Sequence, residues 1–199
     1  MHEEKRLMKR GMDEARIARA VREILIAIGE DPKREGLIET PKRVAEAYTH
    51  LFAGLLEDPA RYLQGSIAEE TRDLIVIRDL PVASFCEHHI LPFIGKAHVG
   101  YVPNSRVAGF SELAHVVEGY ARRPQLQERL TAQVADTVHG KLDSLGAVVV
   151  VEAEHMCMSI RGAEVPGSVA VTSAARGVFE EDTARRAEAL ALIFRGSIT

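Results

Sequence analysis

Apolar positions follow two periods along this chain, one near 3.6 and one of two. In residues 15–29, "ARIARAVREILIAIG", Ile17, Val21, Ile24, Leu25 and Ile28 fall on one helical stripe, which Gly29 closes. After the turn-rich "EDPKREGLIET", Thr40 is expected to cap a second helix with Pro41 in its first position. Val44, Tyr48, Leu51 and Leu55 form its apolar face. From Asp73 the period falls to two. "LIVIRDLPV" and "FIGKAHVGYV" read as strands, the second with Phe93, Ala97, Val99 and Tyr101 on one face. Ser111 is expected to cap a helix carrying Leu113, Val116, Val117 and Tyr120. After Pro124 a longer helix, "QLQERLTAQVADTVHGKL", keeps Leu126, Leu130, Val134 and Val138 in register. "AVVVVEAEHMCMSI" and "SVAVTSAA" read as two more strands, and "EDTARRAEALALIF" as a closing helix. The pattern predicts an α+β fold, antiparallel strand pairs with helices on one face. An N-terminal helical region over 1–70 would precede a strand-bearing domain over 71–199.

Composition narrows the class without naming a chemistry. The 199 residues suffice for one ordinary domain with a small appendage, and the 46% apolar fraction supplies a core. Aromatics are 5% with no Trp, so that core must be aliphatic. A formal net charge of −4 gives no basic footprint for nucleic acid. The first twenty residues lack the apolar centre of a signal peptide, and no run approaches the roughly 20 apolar residues of a membrane span. The expectation is a cytoplasmic protein with reduced thiols. Cysteine count alone leaves Cys86 and Cys157 open as metal ligands, nucleophiles or buried spectators.

The chemistry concentrates in two stretches. "SFCEHHIL" sets Cys86 and His89 two residues apart, so that a turn can aim both at one point. In "EAEHMCMSIR", a continuous strand would put His155 and Cys157 on one face. Cys86, His89 and Cys157 make a three-ligand set of the kind a catalytic zinc uses, its fourth place open to water. No His-Glu-x-x-His, no Pro-Cys-x-x-Cys and no glycine-rich phosphate loop is present; Gly95 and Gly100 lie inside a strand pattern.

Four stretches in order, "CEHHILPFIGKAHVGYVPN", "RRPQLQERLTAQVAD", "EAEHMCMSIRG" and "VTSAARG", resemble the successive signatures of GTP cyclohydrolase I. They cover roughly the last two-thirds of the chain, and the leading helical pair also fits. The resemblance implies a tunnelling fold, in which subunits pool antiparallel strands into a barrel with helices outside. It implies a homodecamer of two stacked pentamers with active sites at subunit boundaries. It also implies Zn2+ on Cys86, His89 and Cys157, and water activated at the metal attacking C8 of a guanine nucleotide. By resemblance His155 protonates the ring nitrogen, His88 assists proton transfer and Ser111 serves the sugar or phosphate end. Gln127 and Glu128 would read the guanine edge, while Arg43 and Arg161 belong to the phosphate-binding cluster. Formate leaves, and reclosure gives a dihydropterin.

Three positions depart from that pattern. Glu112 stands where the resemblance implies Lys, His115 where it implies Arg, and Glu46 where it implies a second Lys. Since a charge pair at 4 Å is worth about 1 kcal/mol in water and about 4 at an effective dielectric of 20, such exchanges would weaken triphosphate binding. Lys42, Arg106, Arg122 or Arg123 could compensate. A second expectation is therefore the same ring opening on a guanine compound with fewer phosphates. A third is a catalytically silent purine binder.

Overall fold

The computed structural model describes residues 11–161 and 164–194, and the chain divides into two compact units between Glu57 and Asp58. In the first, α1 (Glu14–Ala27) starts at Asp13, whose carboxylate accepts the Arg16 N–H at 2.9 Å. α2 (Thr40–Leu51) follows, then a 3-10 turn over Ala53–Leu56. Thr40 is the first residue of α2 and Glu39 holds the cap position. Pro41 sits in the first turn, where a missing N–H costs nothing. Two helices can enclose only their line of contact. Ala45 is buried, whereas Ile24 and Ile28 on the expected stripe remain 58% and 69% exposed.

The second unit is built on a five-stranded sheet. In chain order its strands and helices are β1 (Ile67–Ala68), β2 (Ile75–Cys86), β3 (Pro92–Val102), β4 (Arg106–Val107), α3 (Phe110–Ala121), β5 (Pro124–Gln125), α4 (Gln127–Leu142), β6 (Gly146–His155), α5 (Met156–Ser159), β7 (Val169–Gly177), α6 (Val178–Glu181) and α7 (Thr183–Phe194). The large sheet runs β5-β2-β3-β6-β7, antiparallel except where β5 pairs parallel with β2; β1 and β4 form a separate two-stranded ladder. These are the expected strand pairs, and α3 and α4 cover one face of them. Phe93, Ala97, Val99 and Tyr101 of β3 and Ala147, Val149, Val151 and Ala153 of β6 alternate toward that face. They meet Leu113, Val116 and Val117 of α3 and Leu130, Val134, Val138 and Leu142 of α4. Each such leucine stabilises the fold by about 2 kcal/mol through burial.

Two irregularities decide where the chemistry lies. Ile77 pairs with Val99 and Leu80 with Ala97, so Arg78 and Asp79 together oppose His98. This β-bulge puts Asp79 at φ 59°. It also changes which residues face the helices, from Ile75 and Ile77 to Leu80, Val82, Ser84 and Cys86. Buried His98 accepts the Asp79 N–H on Nδ1 at 3.2 Å and places Nε2 3.3 Å from Glu152 Oε1. The second irregularity is the early end of β6. Its last pair is Phe93 with His155, and the next place on β3 is Pro92, which has no N–H for a ladder. The expected strand to Ile160 therefore stops at His155, and one helical turn carries Cys157.

The start of α3 differs in the same local way. Gly109, not Ser111, holds the cap position, and Glu112 Oε2 accepts the Gly109 N–H at 2.9 Å.

Candidate metal centre and active site

The turn after β2 delivers the first two candidate ligands. Cys86 N–H donates to Leu91 O at 2.9 Å and Ile90 N–H to Cys86 O at 2.8 Å, with Ile90 left-handed at φ 52°. The hairpin thus folds His89 back over Cys86. Cys157 arrives from α5, not from a shared strand face with His155. The ligand atoms of Cys86, His89 and Cys157 all lie within 4.8 Å of one another.

The donor set fits a zinc-type cation on its chemistry. Burial and the adjacent Cys86 push the Cys157 thiol up, with Arg161 acting the other way. Two neighbouring thiolates in a partly buried place need a cation to coexist, and two thiolates with one imidazole are borderline-soft donors of the kind zinc takes. Three ligands leave a fourth position open.

Three further groups stand around this cluster. His88 is exposed, with Nδ1 3.7 Å from Cys86 Sγ. His155 stacks on Phe93, ring centroids 4.6 Å apart and planes inclined by 13°. Burial pushes His155 below the ordinary imidazole range, while the Glu128 carboxylate pulls it upward. Glu128 is exposed in the first turn of α4.

Gln127 takes partners the sequence reading did not anticipate. It is 2% exposed, and its amide nitrogen lies 2.9 Å from Val151 O, 2.9 Å from Ala170 O and 3.2 Å from Thr172 Oγ1. Its Oε1 lies 2.8 Å from His155 Nε2. An amide held at both ends inside the protein has no free edge for a base, so the expected guanine contact does not follow from this conformation. Glu128 is open to solvent and lines a cleft of about 520 Å3 with Thr172, Arg176, Glu180 and Arg186, at the outer strand β7.

Ser111 is exposed in the first turn of α3, and Arg161 is exposed just after α5. Arg43 is exposed on α2 in the first unit. The three departures have local partners: Glu112 caps α3, the His115 ring lies 5.1 Å from that of Tyr62, and Glu46 pairs with Lys42 at 3.8 Å.

Glu87, for which the sequence suggests no role, accepts hydrogen bonds from Nη1 and Nη2 of the Arg129 guanidinium, at 2.6 and 3.2 Å. This fork ties the Cys86–His89 turn to α4, and Glu87 N–H donates to Gln125 O at 3.0 Å. The opposite charges in the two motifs were a signal, but only the fold shows that they meet.

Sheet, helices and a three-ligand centre flanked by histidines define an α+β protein with a candidate catalytic metal site. Residues 17–194 match the family model for GTP cyclohydrolase I. A GTP cyclohydrolase 1 from Carboxydothermus hydrogenoformans is 56% identical over 92% of this chain and 95% of its own length. One from Geobacillus kaustophilus is 57% identical over 90% and 96%. The chain belongs to the GTP cyclohydrolase I family. Among solved structures, an archaeosine synthase QueF-Like protein in the apo form aligns with a TM-score of 0.44 at 19% identity, over 52% of this chain and 93% of its own. That likeness is slight, and the fold stands on the sheet topology itself.

Proposed function

We propose that this protein is a zinc-dependent GTP cyclohydrolase I, opening the guanine imidazole ring of GTP at C8, releasing formate and reclosing to dihydroneopterin triphosphate. The observation that carries this reading is the convergence of Cys86, His89 and Cys157 beside His88 and His155, in a chain whose relatives bear that name. When bound at these three residues, zinc supplies the Lewis acidity that activates water at neutral pH. His155 gives the ring nitrogen its proton, and exposed His88 moves protons between the site and solvent. Glu128 accepts from the guanine N1–H and 2-amino group, which only an acceptor-rich carboxylate satisfies together. Ser111, Arg161 and Arg43 take the ribose and phosphate end.

The assembly belongs to the same reading. Among the described residues no strand pairs with the outer edge of β7, or with β2 over 75–83, where β5 does not reach. Two free edges on one sheet suit a ring of identical subunits, and the family resemblance makes it a homodecamer of stacked pentamers. Among the described residues no helix is long and apolar enough to cross a membrane. A cytoplasmic location fits a centre that needs both thiols reduced.

Formate release and pterin fluorescence on GTP, GMP and guanosine, with zinc-loaded and chelated enzyme, test the reading. GTP should be preferred and chelation should abolish turnover. A preference for GMP or guanosine would transfer the reaction to a less phosphorylated substrate, as Glu46, Glu112 and His115 would then explain. No formate from any of the three would overturn the reading.

A further inference from the structure

We propose that Gln127 is a positioning residue, which acts through His155 by holding that ring's proton on Nε2 and so leaving Nδ1 as the nitrogen that exchanges protons with substrate. The inference rests on the function proposed above. It assigns Gln127 a task other than base reading.

The direction of the amide follows from its surroundings. Val151 O and Ala170 O are backbone carbonyls and can only accept, so the two amide hydrogens of Gln127 must face them. Oε1 is then the end that meets His155 at 2.8 Å, and an amide oxygen can only accept. His155 Nε2 must therefore carry a hydrogen. In a neutral imidazole the lone pair then resides on Nδ1. The side chain cannot turn over to present the opposite polarity, because this would set its oxygen against two carbonyl oxygens.

Each anchor is itself fixed by the fold. Val151 lies in β6 and Ala170 in β7, two neighbouring strands, and Gln127 is the first residue of α4. The register of two strands and the start of one helix thus converge on one proton. Phe93, stacked on the same ring, fixes its plane. The arrangement resembles the orienting carboxylate of a catalytic triad, with a neutral amide in its place.

The two ends of the amide allow the role to be separated from simple packing. Gln127→Met removes donor and acceptor together, whereas Gln127→Glu keeps an acceptor for His155 and loses the donors to the carbonyls. Acting through His155, Gln127→Met should lower kcat about tenfold or more with KM nearly unchanged, and Gln127→Glu should retain more of kcat than Gln127→Met. If the carbonyl contacts alone matter, Gln127→Glu will be as slow as Gln127→Met or slower, which overturns the proposal. A cycle with His155→Ala gives a second decision should Gln127→Glu fold poorly. Gln127→Met should cost nothing further in that background, and a full additive loss overturns the proposal.

Magic-angle-spinning NMR of zinc-loaded, 15N-histidine-labelled protein reads the tautomer without turnover, the His155 signals being identified by their loss in His155→Ala. Wild type should show the Nε2–H form and Gln127→Met a mixture of forms. An Nδ1–H form in wild type overturns the proposal even if GTP is turned over. Absence of formate from wild type would instead defeat the proposed activity and leave the tautomer result standing.

Discussion

At the residue scale the candidate site separates into ligands and the groups that aim them. Cys157→Ser should lower zinc content and formate release together, by about two orders of magnitude or more, while the circular dichroism spectrum stays native. The core between α3, α4 and the sheet is built mainly of aliphatic side chains on other positions, although Cys86 belongs to it and Cys157 packs against it; a Cys157→Ser protein that unfolds would make the site structural. Glu87 offers a pH test. The Arg129 guanidinium holds its carboxyl below the ordinary value of 4.5. Stability from this pair is therefore present above that unfolded value and is lost as pH falls through the lower folded one. Wild type should lose more melting temperature between neutral and acid pH than Glu87→Gln, and equal losses would deny the pair that role.

Most of the candidate cluster was legible because spacing is local. Cys86 and His89 share one turn, and the charge-free chemistry of thiol and imidazole is rare enough to notice. Gln127 and Glu87 were not legible, because their partners stand on other elements. Val151, Ala170 and His155 meet Gln127, and Arg129 meets Glu87, only once the sheet register is set. Cys157 shows a different failure. The alternation "EAEHMC" promised a strand through Cys157, and Pro92, far away in sequence, ended the ladder at His155.

At the scale of elements, β3 and β6 carry the tightest constraint. A Cβ on Gly95 would strike Glu152 O and Ala153 on the neighbouring strand. This accounts for a glycine inside a strand pattern, where a phosphate loop had already been set aside. Gly95→Ala should therefore give insoluble or strongly destabilised protein, measured by soluble yield and melting temperature. The bulge in β2 has its own clamp. His98→Ala removes the acceptor for Asp79 N–H and should cost about 1 kcal/mol in denaturant unfolding, with a matching fall in zinc affinity. Unchanged zinc affinity would mean that the turn holds its geometry without the clamp. The helices were readable from their stripes, but their caps were not: Gly109 with Glu112 supplants Ser111 because a carboxylate three residues on can reach the first free N–H.

At the scale of the whole molecule the sequence predicts an aliphatic α+β protein with a helical appendage, and the antiparallel strand pairs and the helix face agree with the α+β reading. What it could not show is how much apolar surface one chain leaves open. Ile24, Ile28, Leu51 and Leu55 in the first unit, and Val169 and Val171 on β7, remain exposed. Patches of this kind mark surfaces that another chain covers. Analytical ultracentrifugation should give a particle of about ten chains of 21.9 kDa; a monomer or dimer at assay concentration would rule out a closed ring.

The extra residue at Asp79 has a consequence for how this chain can change. Between Leu80 and Cys86 the strand runs in strict alternation, so an insertion or deletion there, or the loss of Asp79 itself, inverts everything downstream. Such a chain could keep its hydrophobic content and still point Cys86 away from Cys157. Length changes in this segment are tolerable only in pairs. A library of single and double deletions across 78–85 should show zinc binding returning with every second residue removed, a rhythm that stability alone would not produce.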